Sequence, residues 1–507
     1  MKLDKKDLQK VASYGLGAFL ALLGIKTVTR GFINKELDSA MNTTFTDIYD
    51  ENLWEVVSFL TRMGAQTIIE NKLRANNQGL PLERPLGPGK KFPSLDDLMF
   101  SINEFYIMPT PLETQVDTSV TIGKKAAKPL VIPFPIMVSA MAYGTGLSKQ
   151  AAMALARGAS KSGTAYNAGQ GPFCPEIKAE ANTYIYQYNR GSWNKGQEAI
   201  TNCAAIEIQF GQGAIAAVGN KLESKHMDKE LRKAFGLPRG TDAISHSRQP
   251  EVQHPKDLVK LVERLKREGG GVPVGAKIGT GKYLETDLDW LCNSGVDYIV
   301  IDGAEAATKG SVPLLQDDFG IPTIFSIDRA VNWLQKNNFK ERVGLIASGK
   351  IKTPGDVLKA CALGADACYM GSALLLVVSH PATLAALPFE PPTQSVWYLG
   401  KYKDKLDVET GAQMLNNFFQ ASKAEIEQGI KALGKTSLQE VNKEDLLSLN
   451  EMVAKACSIP MVYEAFDYES GCKTLMEEKE VRIERKPFKT TKKLLPKRLS
   501  TKDTSNV

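Results

Sequence analysis

The sequence predicts an α/β fold, a (β/α)8 barrel of the TIM type, with helical additions at both ends. Two observations predict it. Eight short apolar runs of strand length follow one another: Ile136–Ala140, Thr164–Ala168, Tyr184–Tyr188, Ala205–Phe210, Pro273–Ile278, Tyr298–Asp302, Val343–Ala347 and Ala367–Met370. Helical patterns lie between most of them, at Lys149–Lys161, Lys256–Glu268, Glu285–Asn293, Ser326–Lys336 and Pro354–Leu363. Strands alternating with helices make parallel βαβ units, and eight such units close a barrel. A doubly wound open sheet shares the alternation and is the alternative.

At 507 residues the chain exceeds one ordinary core, so a large domain with smaller additions is expected. Hydrophobic residues at 43% and charged residues at 24% describe a globular protein. The net charge is +6, yet residues 479–507 alone hold ten Lys/Arg and three Asp/Glu. The remainder is near neutral, which argues against a nucleic-acid-binding core. None of the seven cysteines forms a CxxC pair, and they read as reduced thiols facing a cytoplasmic compartment.

Taken in order, Val11–Ile25 carries no charge and is flanked by Lys2, Lys5, Lys6 and Lys10 before it and Lys26 and Arg30 after it. It is expected to be an N-terminal anchor or shallow membrane helix within residues 1–35, on the cytoplasmic side of a membrane. A helix packed on the protein is the alternative. Residues 36–128 read as a helical and linker region. Within it Leu53–Leu73 forms one amphipathic helix, Gly79–Pro93 is a connecting loop, Leu95–Met108 is ambiguous, and Val116–Ile122 and Leu130–Phe134 are strands. The barrel occupies 129–380, and Lys221–His254 is a long insertion after its fourth strand that should shape the site. A helical extension follows over 381–478, with Pro388–Pro392 as a linker and helices at Val408–Leu433 and Lys443–Ala456. The basic segment 479–507 reads as a disordered tail that could meet anionic lipid.

Val343–Met370 carries the chemistry. A strand ends at Ser348-Gly349-Lys350, Pro354 opens a helix, and a second strand ends at Gly371-Ser372. A right-handed crossover sets these two turns side by side, where bare backbone N–H groups can surround a phosphate. The expected ligand is flavin mononucleotide (FMN). Two ordinary turns would look the same. Ser139-Ala140-Met141 ends the first strand and offers small residues for a flat ring to lie against. Lys277 in a barrel strand needs an anionic partner and could stabilise the negative charge of a reduced flavin. Gly275–Lys282 departs from a phosphate-binding loop, because Ala276 stands where its first glycine belongs and Tyr283 where its Ser/Thr belongs. His226, His246 and His254, with Glu251 nearby, match no metal-ligand spacing.

Five blocks in order carry a family resemblance. VSAMAYGTGLSKQAAMALARGASKSGTAYNAG is similar to SAMS-[FY]-G-x-LS…TGEGG, IEIQFGQGA to IEIKLSQGA, and VGAKIG to VSVKL. VDYIVIDGAEAATKGS is similar to DxIxIxGxxGGTGAxP, and GLIASGKIKTPGDVLKACALGADACYMGSALL to LxADGGIRTGxDVxKAxALGADxVxxGxAxL. The sequence resembles the FMN-binding synthase domain of glutamate synthase, in particular its stand-alone forms with an N-terminal membrane segment. The resemblance runs from about Pro129 to Val378 and more loosely from Leu53 to Leu433.

It implies an FMN oxidoreductase acting on the C–N bond of an amino or imino acid, in glutamate biosynthesis. FMN would meet Ser139, Ala140, Met141, Gln212, Lys277, Ser348, Gly349, Lys350, Gly371 and Ser372. Lys277, Gln209 and Gln170 take the catalytic positions. Gln170 replaces the family glutamate of TGEGG, Gln209 the lysine of IEIK, and Ala306 and Ala307 two glycines. Losing a cation for a carboxylate forfeits roughly 1.5–3 kcal/mol, which points away from plain 2-oxoglutarate. Arg239, Arg248 and Lys309 could replace that cation.

Lys2 stands where the family has a cysteine, no glutaminase domain is recognisable, and SHPATLAALPFEPPTQ lacks cluster cysteines. An unidentified electron donor is therefore needed. The expected partners are a small-molecule amino or oxo acid, that donor, a membrane surface and further copies in a homo-oligomer. An FMN barrel acting on a hydroxy acid, an isomerase, and a non-catalytic flavoprotein subunit are the alternatives.

Overall fold

The computed structural model describes residues 27–49, 52–193, 195–383, 387 and 391–464. Eight parallel strands close into a barrel. They are β1 (Ile136–Val138), β2 (Tyr166–Asn167), β3 (Tyr184–Tyr188), β4 (Ala205–Gln209), β5 (Val274–Gly279), β6 (Tyr298–Asp302), β7 (Gly344–Ser348) and β8 (Ala367–Met370). Each strand pairs with the next in sequence, and β8 returns to β1 through Tyr369 opposite Met137. The barrel is thus closed, and the open-sheet alternative is excluded.

A helix follows each strand: α1 (Lys149–Ser162), α2 (Pro175–Glu180), α3 (Gln197–Thr201), α4 (Pro255–Glu268), α5 (Leu284–Asn293), α6 (Thr323–Lys336), α7 (Pro354–Ala362) and α8 (Ser372–Ser379). Local chemistry sets their starts. Ser148 Oγ accepts from Ala151 N at the start of α1, and Thr353 with Asp356 forms a reciprocal cap at α7. The alanine-rich face of α1 lets the long helix α9 (Val408–Ala432) lie close. A Cβ on Gly158 would stand 2.8 Å from Leu415 Cβ. The C-terminal extension is therefore packed onto the barrel, with Phe419 of α9 5.6 Å from Phe134 just before β1.

Three expectations change. The helix over Leu53–Leu73 is two helices, Leu53–Met63 and Ala65–Asn76, because Gly64 turns to a positive φ of 76° between them. The ambiguous segment after Leu95 contributes a strand, Leu98–Phe100, paired antiparallel with Leu446–Ser448. That pairing takes residues from the helix expected over Lys443–Ala456. Asn450 Oδ1 accepts from Met452 N, so the helix starts only at Glu451. An asparagine that bonds its own backbone favours such a new start over a helix interior.

The other flanking strands form a hairpin, Val120–Ile122 with Leu130–Ile132, under the amino ends of the barrel strands. There Lys128 N donates to Gly271 O just ahead of β5. The Gly79–Pro93 loop folds over the opposite face, Arg84 pairing with Ser311 in the β6–α6 connection. The insertion after β4 is a hairpin, Asn220–Leu222 with Ala243–Ser245, around a short helix, Lys229–Phe235. The six described cysteines are free thiols.

Val11–Ile25, Cys472 and the basic tail lie outside the described residues. Among the described residues no helix is long and apolar enough to cross a membrane.

Candidate active site

A cavity of about 690 Å³ opens at the carboxyl ends of the strands, where α/β barrels place their chemistry. All ten residues assigned above to flavin contact line it. The two glycine turns do different work. Gly349 has φ 123° and Lys350 φ 54°, and a Cβ at Gly349 would lie 2.3 Å from Thr323 Oγ1. That turn needs glycine to exist at all. Gly371 has φ −120°, a value any residue adopts. Its missing Cβ instead leaves open the space beside Ser139 Cβ at 3.7 Å and Met141 Sδ at 3.9 Å. Gly371 also begins α8, which no side chain caps, so its first N–H groups face the cavity end of the helix. A phosphate would meet those N–H groups here, and a side chain at Gly371 would fill the same space.

Lys277 points into the barrel with its side chain only 5% exposed. Its Nζ lies 3.6 Å from Asp302 Oδ1, the anionic partner that burial demands. Asp302 Oδ2 accepts from Gly213 N, which ties the β4 loop to the same carboxylate.

Four strands contribute a polar layer close by. Glu207 accepts from Gln187 Nε2 at 2.7 Å and from Tyr369 OH at 2.8 Å, and Asn167 Nδ2 donates to Tyr369. Burial pushes the Glu207 carboxyl above its ordinary range, against the pull of Lys277 and of its two donors. Glu305, which lines the cavity, is raised by burial and accepts from Thr323 N and Oγ1.

Gln209, at the end of β4 opposite Lys277, donates from Nε2 to Gln170 Oε1 at 3.2 Å. Ser245 Oγ reaches the same oxygen at 3.3 Å. Lys309 lines the cavity, whereas Arg239 and Arg248 are exposed and stand outside its lining. They sit on the outer side of the insertion, whose inner strand sends Ser245 inward instead. His226, His246 and His254 are exposed, and no group of metal-binding side chains exists among the described residues.

Sequence reasoning missed Asp302, Glu207 and Tyr369 as site residues. The signal was the two-residue alternation, which puts Glu207 with Gln209 and Asp302 with Val300 on the inner face. Leu86 and Glu83, also in the lining, come from a segment read only as a connecting loop.

The residues fit FMN on these observations: an open cradle at Gly371, an uncapped helix start, and a buried lysine whose ammonium lies within the cavity wall. Fold and site together place the chain among the FMN-dependent oxidoreductases built on a (β/α)8 barrel.

Residues 94–436 match the family described as the conserved region in glutamate synthase. A glutamate synthase large subunit-like protein of Rhizobium meliloti is 30% identical over 413 residues, covering 76% of this chain and 92% of that one. An archaeal-type glutamate synthase [NADPH] of Thermotoga neapolitana is 28% identical over 364 residues, 70% of this chain and 71% of that one. The chain belongs to the glutamate synthase family. Among solved structures, a flavocytochrome b2 mutant with benzoylformate is similar at 17% identity and a TM-score of 0.46, covering 81% of this chain and 84% of that one. A lactate oxidase from Pediococcus acidilactici is similar at 16% identity and a TM-score of 0.45, covering 70% and 84%.

Proposed function

We propose that the protein interconverts an amino acid and the imine of its 2-oxo acid, with ammonia as the nitrogen source and reducing equivalents from a reduced nicotinamide. The nicotinamide follows the NADPH in the printed names of the archaeal-type relatives. FMN, when bound, supplies a two-electron carrier able to pass a hydride to an electrophilic carbon. The chain's own residues do the rest. Lys277 provides a buried positive charge at the cavity, held in place by Asp302 and by the layer around Glu207. Leu86 and Ala306 add apolar surface to the cavity wall. Lys309 carries a charge suited to the α-carboxylate of the substrate and makes no ion pair among the described residues.

The observation that carries this reading is the convergence of Lys277, Gln209 and the two phosphate turns on one cavity. Residues 1–35 are proposed to hold the enzyme at the cytoplasmic face of a membrane, and copies of the chain to associate as a homo-oligomer.

The test is spectroscopic. The isolated protein should be yellow and release FMN on heating. The bound flavin, reduced chemically, should be reoxidised by a 2-oxo acid only when ammonia is present. Reoxidation by the oxo acid alone, or bleaching of the oxidised form by a hydroxy acid, would contradict the proposal.

A further inference from the structure

Behind the cavity lining lies a carboxyl that touches no solvent. Gln187, Lys277 and Tyr369 line the cavity, whereas Glu207 does not and is 0% exposed. Two of those lining residues hold it directly. Gln187 Nε2 donates to Glu207 Oε1 at 2.7 Å, and Tyr369 OH to Oε2 at 2.8 Å. Asn167 Nδ2 donates in turn to the Tyr369 hydroxyl at 3.0 Å. Opposite Glu207 on β5 stands Gly275, and the Tyr298 ring fills the space its missing side chain leaves. The Tyr298 hydroxyl donates to Ile206 O. Among the described residues one cation acts on Glu207 from these elements, Lys277, whose ammonium already has Asp302 Oδ1 at 3.6 Å. The buried layer thus sets one positive group against two carboxyls. Glu305 accepts from Thr323 at the end of β6 and makes no bond to this layer. Lys309 and Lys350 line the cavity too, but one is half-buried and the other exposed, so solvent screens their charge.

A flavin reduced in this cavity adds a negative charge beside Lys277. In a buried layer one ammonium does not balance two carboxylates and that anion together, and a new negative charge favours the protonated form of a carboxyl nearby. Asp302 keeps Lys277 and Gly213 N as its own partners. Glu207 has only neutral donors, and burial already holds its carboxyl above the ordinary range. We infer that Glu207 takes up a proton when FMN held in this cavity is reduced, and releases it on reoxidation. The flavin accepts two electrons and one proton and gains one negative charge; the Glu207 carboxylate accepts one further proton from solvent and loses its own. Gln187 and Tyr369, bonded to Glu207 and lining the cavity, join it to the solvent side. The inference rests on the proposed flavin chemistry and adds to it a proton store in the barrel interior, acting through its charge.

The experiment titrates the midpoint potential of FMN bound to the full chain, with dithionite as reductant, across the pH range in which the protein stays folded. It compares the unaltered protein with Glu207→Gln. The two potentials should lie closest at the acid end, where Glu207 is neutral in both redox states, and the unaltered protein should fall below the variant as pH rises. Reduction should raise the proton affinity of Glu207 at least tenfold, which for a two-electron couple separates the acid and alkaline differences by about 30 mV. A difference that stays the same at every pH overturns the inference and leaves Glu207 a structural group. Should the variant not fold, the unaltered protein decides alone. With its glutamate side chains isotopically labelled, the infrared difference spectrum on reduction should gain a labelled carboxylic-acid band, and absence of that band at every pH overturns the inference. A protein that takes up no FMN gives neither result, and overturns the functional proposal and this inference with it.

Discussion

Lys277 Nζ stands 3.6 Å from Asp302 Oδ1 across adjacent strands β5 and β6, and both side chains are almost wholly buried. A buried pair of this kind is costly to break from one side, because the remaining charge has no solvent. Lys277→Met should lower stability by about 3–5 kcal/mol in denaturant titrations. The same variant, where it folds, should shift the potential of bound FMN downward, since a cation that favours the reduced anion is gone. An unchanged potential with intact FMN binding would remove Lys277 from the flavin site.

The two glycine turns should respond differently to a side chain. At Gly349 the backbone itself is left-handed and a Cβ would lie 2.3 Å from Thr323 Oγ1. Gly349→Ala should therefore cost about 1–2 kcal/mol from conformation alone, and more from the clash. At Gly371 φ is −120°, outside the left-handed region, and the nearest atoms are at 3.7 Å and beyond. Gly371→Val should melt close to the unaltered protein and yet bind FMN at least ten times more weakly. Equal loss of stability in both would refute the division of roles.

Glu207 makes a pH-dependent contribution whose sign follows from its raised carboxyl pKa, caused first by burial. Its folded value lies above the ordinary 4.5, so in the window just above pH 4.5 the unfolded chain has lost a proton that the folded chain keeps. Stability from this group is then full below the ordinary value and is lost as pH rises through the folded one. The stability of the unaltered protein relative to Glu207→Gln should fall with rising pH above 4.5, measured as the difference between denaturation midpoints. A difference that stays constant with pH would show that Glu207 ionises normally.

Arg190 is fully buried, with no carboxylate partner among the described residues. Its guanidinium donates to the carbonyls of Ala217 at 2.6 Å, Ser247 at 3.0 Å and Val218 at 3.3 Å. Burial holds it down to about 10. Ala216 and Ala217 both adopt positive φ, 44° and 62°, which disfavours any residue with a Cβ. The arginine thus holds the root of the insertion whose next residues, Asn220–Leu222, line the cavity. Arg190→Met should weaken substrate binding more than FMN binding, seen as a raised KM with FMN affinity nearly unchanged. Parallel loss of both would mean that the whole barrel, and not the insertion, depends on it.

The barrel was legible because every strand carries its own local signal, an apolar run bounded by turn residues. The two glycine turns were legible for the same reason: Ser348–Lys350 and Gly371–Ser372 are contiguous. The Glu207 layer was not, since Asn167, Gln187, Glu207 and Tyr369 come from four strands and meet only when the barrel closes. Arg239 and Arg248 were misplaced because charge alone does not say which side of a hairpin faces the cavity. The pairing of Asn220 with Ser245 decides that, and it turns Ser245 inward. At Gly64 the chain breaks where the apolar pattern alone runs on.

Arg84 joins a loop near the amino terminus to the cavity mouth, more than 200 residues away. Its guanidinium meets Asp317 at 2.6 Å, Glu70 at 3.0 Å and Gln316 at 3.2 Å, while Gln316 Nε2 donates back to the Arg84 carbonyl. Half-buried contacts of this kind, one to each of three partners, hold better than exposed ion pairs, which contribute roughly 0–1 kcal/mol. The backbone of Arg84 also exchanges hydrogen bonds with Ser311, and Leu86 N donates to Thr308 O on the cavity wall. Arg84→Ala should release this strap without unfolding the barrel behind it. Amide exchange at Arg84, Leu86 and Ser311 should accelerate at least tenfold while β4, β5 and β6 stay protected. Unaltered exchange at those three amides would show that the backbone pairing, and not the guanidinium, holds the strap.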